Sequence, residues 1–167
     1  CEAAKRAAEA MGVPACVLTT QLAGDSREAG TFLACVAKEV RLTHRPVPPS
    51  CILIAGGETT TRIEGEAGVG GPSQELALGF ALEVAERSGF CIGAIDTDGT
   101  DGPTEIAGGI ADGTTVERAR RAGLNVHDRL RAHDSSRVLT AVGDEVVTGN
   151  TGTNLCDLNV IYVSGGE

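Results

Sequence analysis

Apolar residues along this chain fall into two patterns, short unbroken blocks and longer stripes at helical spacing. Residues 2–11 predict a short helix, and after Gly12 and Pro14 the block Ala15–Leu18 predicts a strand. In the next stretch Asp25 stands ready to cap a helix with Glu28 three residues on. Ala29, Phe32, Leu33, Val36, Ala37 and Val40 then follow the i, i+3, i+4 pattern of one helical face. Cys51–Ala55 is a wholly apolar run, as expected of a strand covered on both faces.

Pro72 suits a first helical position, and Leu76, Leu78, Phe80, Leu82 and Val84 predict a helix reaching towards Ser88–Gly89. A further buried strand is expected at Cys91–Ile95. Thr114 with Glu117 reads as a capping box for a helix stopping at Gly123, Asn125 caps a brief helix, and Asp134 caps one holding Val138, Leu139 and Val142. Val146–Val147 and Leu158–Val163 read as closing strands. Strands alternating with helices predict a three-layer α/β/α domain with a mostly parallel or mixed sheet.

Composition narrows the class. A length of 167 residues with 41% hydrophobic and 22% charged residues suits one domain with one core. Neither a membrane span nor an export signal is expected, since no apolar run nears 18 residues and Glu2, Lys5, Arg6 and Glu9 break up the first segment. The net charge of −9 and the scarcity of aromatic residues argue against a nucleic-acid partner. Cys16, Cys35, Cys51 and Cys91 sit in apolar patterns and no CxxC occurs, so free thiols and a reducing, cytoplasmic setting are expected.

Three segments put glycine and small polar residues where a core would want bulk, each beyond a predicted strand end. Gly56-Gly57-Glu58-Thr59-Thr60-Thr61, continued by Gly65–Gly71, offers backbone N–H groups to an anion, aided by the helix starting at Pro72. It matches neither the phosphate-loop nor the dinucleotide fingerprint, and a hairpin with tight turns is its plain alternative. Asp96–Thr104 carries Asp96, Asp98 and Asp101, a natural partner for Mg²⁺ or a substrate hydroxyl, or else an Asx-turn loop; the EF-hand pattern fails at Thr100 and Asp101. Thr148–Asn154 supplies hydroxyls and amides in a flexible bend. His44, His127 and His133 are expected to be solvent-exposed.

In this order, GGETTT (56–61), GGPSQELAL (70–78), TDGTDGPT (97–104), AGG (107–109), HDS (133–135) and TGNTGTNLCDL (148–158) resemble the MOFRL domain of class II glycerate kinases, a family also called hydroxypyruvate reductases in places. That resemblance implies ATP-dependent phosphorylation of D-glycerate at its 2-hydroxyl, with Mg²⁺, in a cleft shared with a larger Rossmann-like N-terminal domain that lies outside these 167 residues. Members often carry Arg where Pro72 stands and Asn where Ser73 stands, and a proline where Asn150 stands.

On this reading Glu58, Asp98 and Asp101 are the catalytic carboxylates, with Asp98 and Asp101 meeting the metal. Backbone N–H groups of Gly56, Gly57, Gly70 and Gly71 bind anion, and Thr59, Ser73, Gln74, Glu75, Thr153 and Asn154 complete the substrate site. Arg62 is the nearest base to these motifs, so a Lys or Arg for the phosphates is expected from the N-terminal domain. The rival reading is a non-catalytic, stand-alone binding or interaction module, and homo-oligomerisation stays open. A reductase is disfavoured because this chain has no nicotinamide fingerprint.

Overall fold

The computed structural model describes residues 1–166. Helix α1 (Glu2–Ala10) is followed by β1 (Ala15–Leu22), α2 (Ser26–Thr43), β2 (Cys51–Gly57), α3 (Pro72–Glu83) and β3 (Phe90–Asp96). Next come β4 (Gly108–Asp112), three short helices α4 (Thr115–Arg121), α5 (Val126–Arg131) and α6 (Ser135–Val142), then β5 (Glu145–Val146) and β6 (Asp157–Val163). No described helix is long and apolar enough to cross a membrane.

The strands form one six-stranded sheet in the order β1-β2-β6-β3-β4-β5. It is mixed, as expected, with β1 and β2 parallel and every other pairing antiparallel. Leu53, Ile161, Ile92 and Ala111 lie side by side across four strands and bury one face against α2 and α3. On the other face α1 covers β1 and β2, with Cys1 closing over Gly56. Helices on both sides make the three layers.

Helix α3 is the centre of the fold. Every residue from Ser73 to Ala81 is buried, because α2 and the sheet cover one side while α4, α5 and α6 pack Ala119, Leu130, Val138 and Leu139 around Leu78 on the other. A helix enclosed on all sides reads as apolar all round, which is why its sequence shows no single stripe. Two glycines set its distance from α2. A side chain at Gly30 would strike the Leu76 carbonyl, and one at Gly79 would strike the Arg27 carbonyl.

Local expectations are met at two helix starts and not at two others. Asp25 caps α2 through the Glu28 N–H at 3.2 Å, and Asn125 caps α5 through the Asp128 N–H at 3.2 Å, both as expected. The Thr114–Glu117 box does not form: the Thr114 hydroxyl turns to Asp112, and Glu117 pairs with Arg120 and Arg121. Asp134 stands at the N-cap of α6 without capping it, and binds the Val69 N–H and Arg129 instead. Phe32 is exposed, so the buried stripe of α2 runs through Ala29, Leu33, Ala34, Ala37 and Val40. All six cysteines are free; Cys51 is buried, Cys16 and Cys91 are half-buried, and Cys35 faces solvent instead of the core.

Candidate functional site

The polar segments gather at one end of the sheet. Gly57 closes β2, Asp157 opens β6 and Asp96 closes β3, and the register aligns all three across adjacent strands. Asp157 accepts the Thr59 N–H at 3.0 Å and the Thr59 hydroxyl at 3.3 Å, drawing the 58–61 segment over the strand ends. Burial, reinforced by Asp96 and Glu58, pushes the Asp157 carboxyl up against the opposing pull of the Thr59 N–H. Burial likewise raises the Asp96 carboxyl, countered by the Asp98 N–H and aided by the negative charges of Asp98 and Glu58. Gly57 adopts a φ of 149° where its Cα abuts Leu22 of β1, so a glycine is needed there for contact and conformation alike.

Two loops are stitched together above this line. The Thr151 N–H reaches the Asp98 carbonyl at 3.0 Å, the Leu155 N–H reaches the Thr97 hydroxyl at 2.8 Å, and that hydroxyl donates to the Cys156 carbonyl at 2.8 Å. Asp98 is half-buried and uses one oxygen, Oδ1, for the Thr100 N–H and hydroxyl, an Asx turn. Thr153 and Asn154 are exposed, with Asn154 Oδ1 taking the Cys156 N–H at 3.1 Å. Glu58 is exposed, and its Oε2 lies 3.9 Å from the Cys156 thiol.

The second half of the rim surrounds the start of α3. Asp101 Oδ1 and Oδ2 accept the N–H groups of Ser73 and Gln74 at 3.1 and 2.9 Å. The helix start, expected to face a ligand anion, is thus filled by a carboxylate of the protein itself. Burial pushes Asp101 up to about 6 in spite of these bonds. Gly71 is glycine because any side chain would enter the Asp101 carboxylate, and Gly70 lies equally close to Ser135. Gln74 is fully buried, taking the Ser136 hydroxyl at 2.6 Å and donating to Thr104 at 3.3 Å. The Ser73 hydroxyl is buried with no hydrogen-bond partner among the described residues.

Glu75 is only 4% exposed, and its Oε1 lies 2.9 Å from His133 Nδ1. Burial raises its carboxyl while the His133 contact lowers it. A cavity of about 190 Å³ opens here between Thr61, Gly70, Gly71, Pro72, Gly102 and His133. A second, of about 300 Å³, shares Glu75 and His133 and extends to Arg27, Arg62 and Arg131. A third, of about 560 Å³, runs between α1 and the strand ends, past Gly56, Gly57, Thr97 and Asp157.

The expected site residues therefore stand on one rim in two groups bridged by residues 97–104. Gly56, Gly57, Glu58, Thr59, Asp98, Thr153 and Asn154 form one, and Gly70, Gly71, Ser73, Gln74, Glu75 and Asp101 the other. Asp101, Ser73 and Gln74 are turned inward to hold the start of α3. Among the described residues no three or more His, Cys, Asp and Glu side chains are placed to hold a metal ion. His133, expected in solvent, is half-buried at the cavity, whereas His44 and His127 are exposed as expected. The one signal pointing to His133 was its place in the HDS match at 133–135.

The profile of the MOFRL family matches residues 51–157. The glycerate 2-kinase of Pyrococcus horikoshii is 42% identical over 164 residues, covering 98% of this chain and 37% of the relative. The D-glycerate 2-kinase of Thermotoga maritima is 42% identical over 158 residues, covering 95% of this chain and 38% of the relative. The crystal structure of a glycerate kinase from Thermotoga maritima superimposes with a TM-score of 0.94 at 40% identity, over 98% of this chain and 39% of that one. The chain thus spans 37–38% of the length of these two curated relatives.

Proposed function

The chain belongs to the MOFRL family, and on that premise we propose that it is the C-terminal domain of an ATP-dependent glycerate 2-kinase, forming one wall of an active site completed by a Rossmann-like N-terminal domain. The observation that carries this reading is the match to a glycerate kinase fold at a TM-score of 0.94 over 98% of the chain. Phosphoryl transfer asks a protein mainly to position reactants and neutralise charge. This rim can position, through the Thr59–Asp157 clamp and the stitched loops at Thr97 and Thr151. Neutralising phosphates falls mainly to the partner domain, because the rim around Gly57 is carboxylate-rich and the arginines line the cavity shared by Glu75 and His133.

Magnesium suits the donor set, hard carboxylate oxygens, although the described residues make no enclosed protein cage. Mg²⁺ usually takes one or two carboxylates and leaves the remaining positions to water and substrate phosphates. We assign the metal contact to Asp98 and withdraw it from Asp101, whose two oxygens already serve α3. Glu58, exposed beside Cys156, is the second carboxylate available to ATP-bound metal or to the hydroxyls of D-glycerate. A reducing cytoplasm suits the free thiols.

The test mixes the chain with ATP, Mg²⁺ and D-glycerate, alone and with the N-terminal domain of a glycerate 2-kinase, and follows 2-phosphoglycerate. Product is expected only when both domains are present. Turnover by the chain alone would overturn the half-site reading, and no product from the pair would favour the non-catalytic module, which the cation-poor rim also fits.

A further inference from the structure

His133 both partners the buried Glu75 and lines the cavity beside the start of α3. It joins α5 to α6 at a φ of 50°, a left-handed conformation that side chains rarely adopt. Its imidazole does not turn to water but reaches Glu75 in the first turn of α3. A buried carboxylate accepting from Nδ1 leaves Nε2 as the unprotonated nitrogen of the neutral ring, with its lone pair free. Among the described residues Nε2 has no hydrogen-bond partner.

The surroundings say what that lone pair meets. The 190 Å³ cavity is walled by Gly70, Gly71, Pro72, Gly102 and Pro103, and of its described lining only Glu75 and His133 titrate. It has room for about six waters, enough for an acid of a few carbons and too little for a nucleotide. The adjoining cavity, which His133 also lines, carries the charged groups Asp25 at the N-cap of α2, Arg27 of α2, Arg62 and Glu64 of the connecting loop, and Arg131 of α5. Arg27, Arg62 and Arg131 pair with Glu28, Glu64 and Asp128 at 3.7, 3.0 and 3.7 Å, exposed pairs that a ligand carboxylate beside a hydroxyl held at the imidazole can exchange for its own.

We propose that the glycine-walled cavity binds a small hydroxy acid and that His133, positioned by Glu75, accepts the proton of its hydroxyl. This rests on the kinase reading above. In the step, the hydroxyl oxygen bonds to the terminal phosphorus of a nucleoside triphosphate while its proton passes to His133 Nε2. The bond from that phosphorus to the bridging oxygen breaks, and the nucleoside diphosphate leaves with the electron pair. The imidazolium so formed faces the Glu75 carboxylate and later returns its proton to water.

The test uses His133→Asn, since asparagine tolerates a left-handed backbone, with circular dichroism to check the fold. In the two-domain enzyme this variant is expected to lose roughly 100-fold in kcat with little change in KM, and to lose the acidic limb of the pH profile. Glu75→Gln should move that limb. A His133→Asn enzyme within threefold of wild type, with an unchanged profile, would overturn the inference. A wild-type pair that makes no 2-phosphoglycerate would instead remove the kinase reading, and imidazole ¹⁵N spectra of the chain titrated with D-glycerate then decide. Shifts confined to the His133 ring support the site; none at His133 overturns it.

Discussion

Asp101 lies across the start of α3 with one carboxylate oxygen 2.9 Å from the backbone nitrogen of Gln74. A residue expected to meet a metal instead holds the helix on which Glu75 is mounted. Burial raises its carboxyl to about 6, above the ~3.9 of an unfolded chain. Between those values the folded state keeps a proton that the unfolded chain has released. The stabilisation from this group is complete below about pH 4 and is lost as the pH rises through about 6. The advantage of wild type over Asp101→Asn in urea unfolding should therefore shrink by roughly 2–3 kcal/mol from pH 4 to pH 7. Parallel stability profiles for the two proteins would refute the assignment.

The close backbone approach of α3 at Gly30 and of α2 at Gly79 predicts a large cost for bulk at either. Gly79→Val drives two methyl groups into the Arg27 backbone and should destabilise by about 3 kcal/mol or more, beyond the range of ordinary overpacking. Thermal unfolding checks it, and a loss under 1 kcal/mol would mean the helices part easily.

Arg118 grips Asp144 through two bonds, at 2.8 and 2.6 Å, and also reaches the Val142 carbonyl at 2.9 Å. Its side chain is 34% exposed, while that of Asp144 is 12% exposed. Arg118→Met leaves Asp144 to the Thr115 hydroxyl alone and should cost about 1–3 kcal/mol. The loss should survive 0.5 M salt, unlike that of Glu117 and its surface partners. A salt-sensitive effect would show the pair to be superficial.

Asp157→Ala removes the acceptor of the Thr59 N–H. Hydrogen exchange at Thr59 is expected to accelerate by roughly tenfold or more, with the β2–β6 ladder unaffected. Equal protection in both proteins would show that the 58–61 segment is held by its other contacts, such as the Thr60–Gly24 bond.

The strong helices and the buried strands were legible because their patterns admit one solution. Asp25 caps α2 as its spacing predicts, and Cys51–Ala55 is a central strand. β4 was invisible: Gly108-Gly109-Ile110-Ala111-Asp112 has no strand-forming run, and it is a strand through pairing with β3. Thr114 and Asp134 failed as caps because closer partners, Asp112 and the Val69 N–H, compete for their oxygens. At the site, the segments and their shared rim followed from glycines at strand ends. The division of labour within it did not, since Asp101 meets its partners 27 and 28 residues away and Glu75 meets His133 across 58.

The close pass of α2 over α3 also bears on how such chains diverge. Residue 30 lies against the backbone of Leu76 and Phe80, and residue 79 against the backbone of Arg27, so no change of a neighbouring side chain can make room for bulk at either. Both are expected to stay glycine in descendants that keep this helix crossing, even where the rim above them drifts to a new substrate.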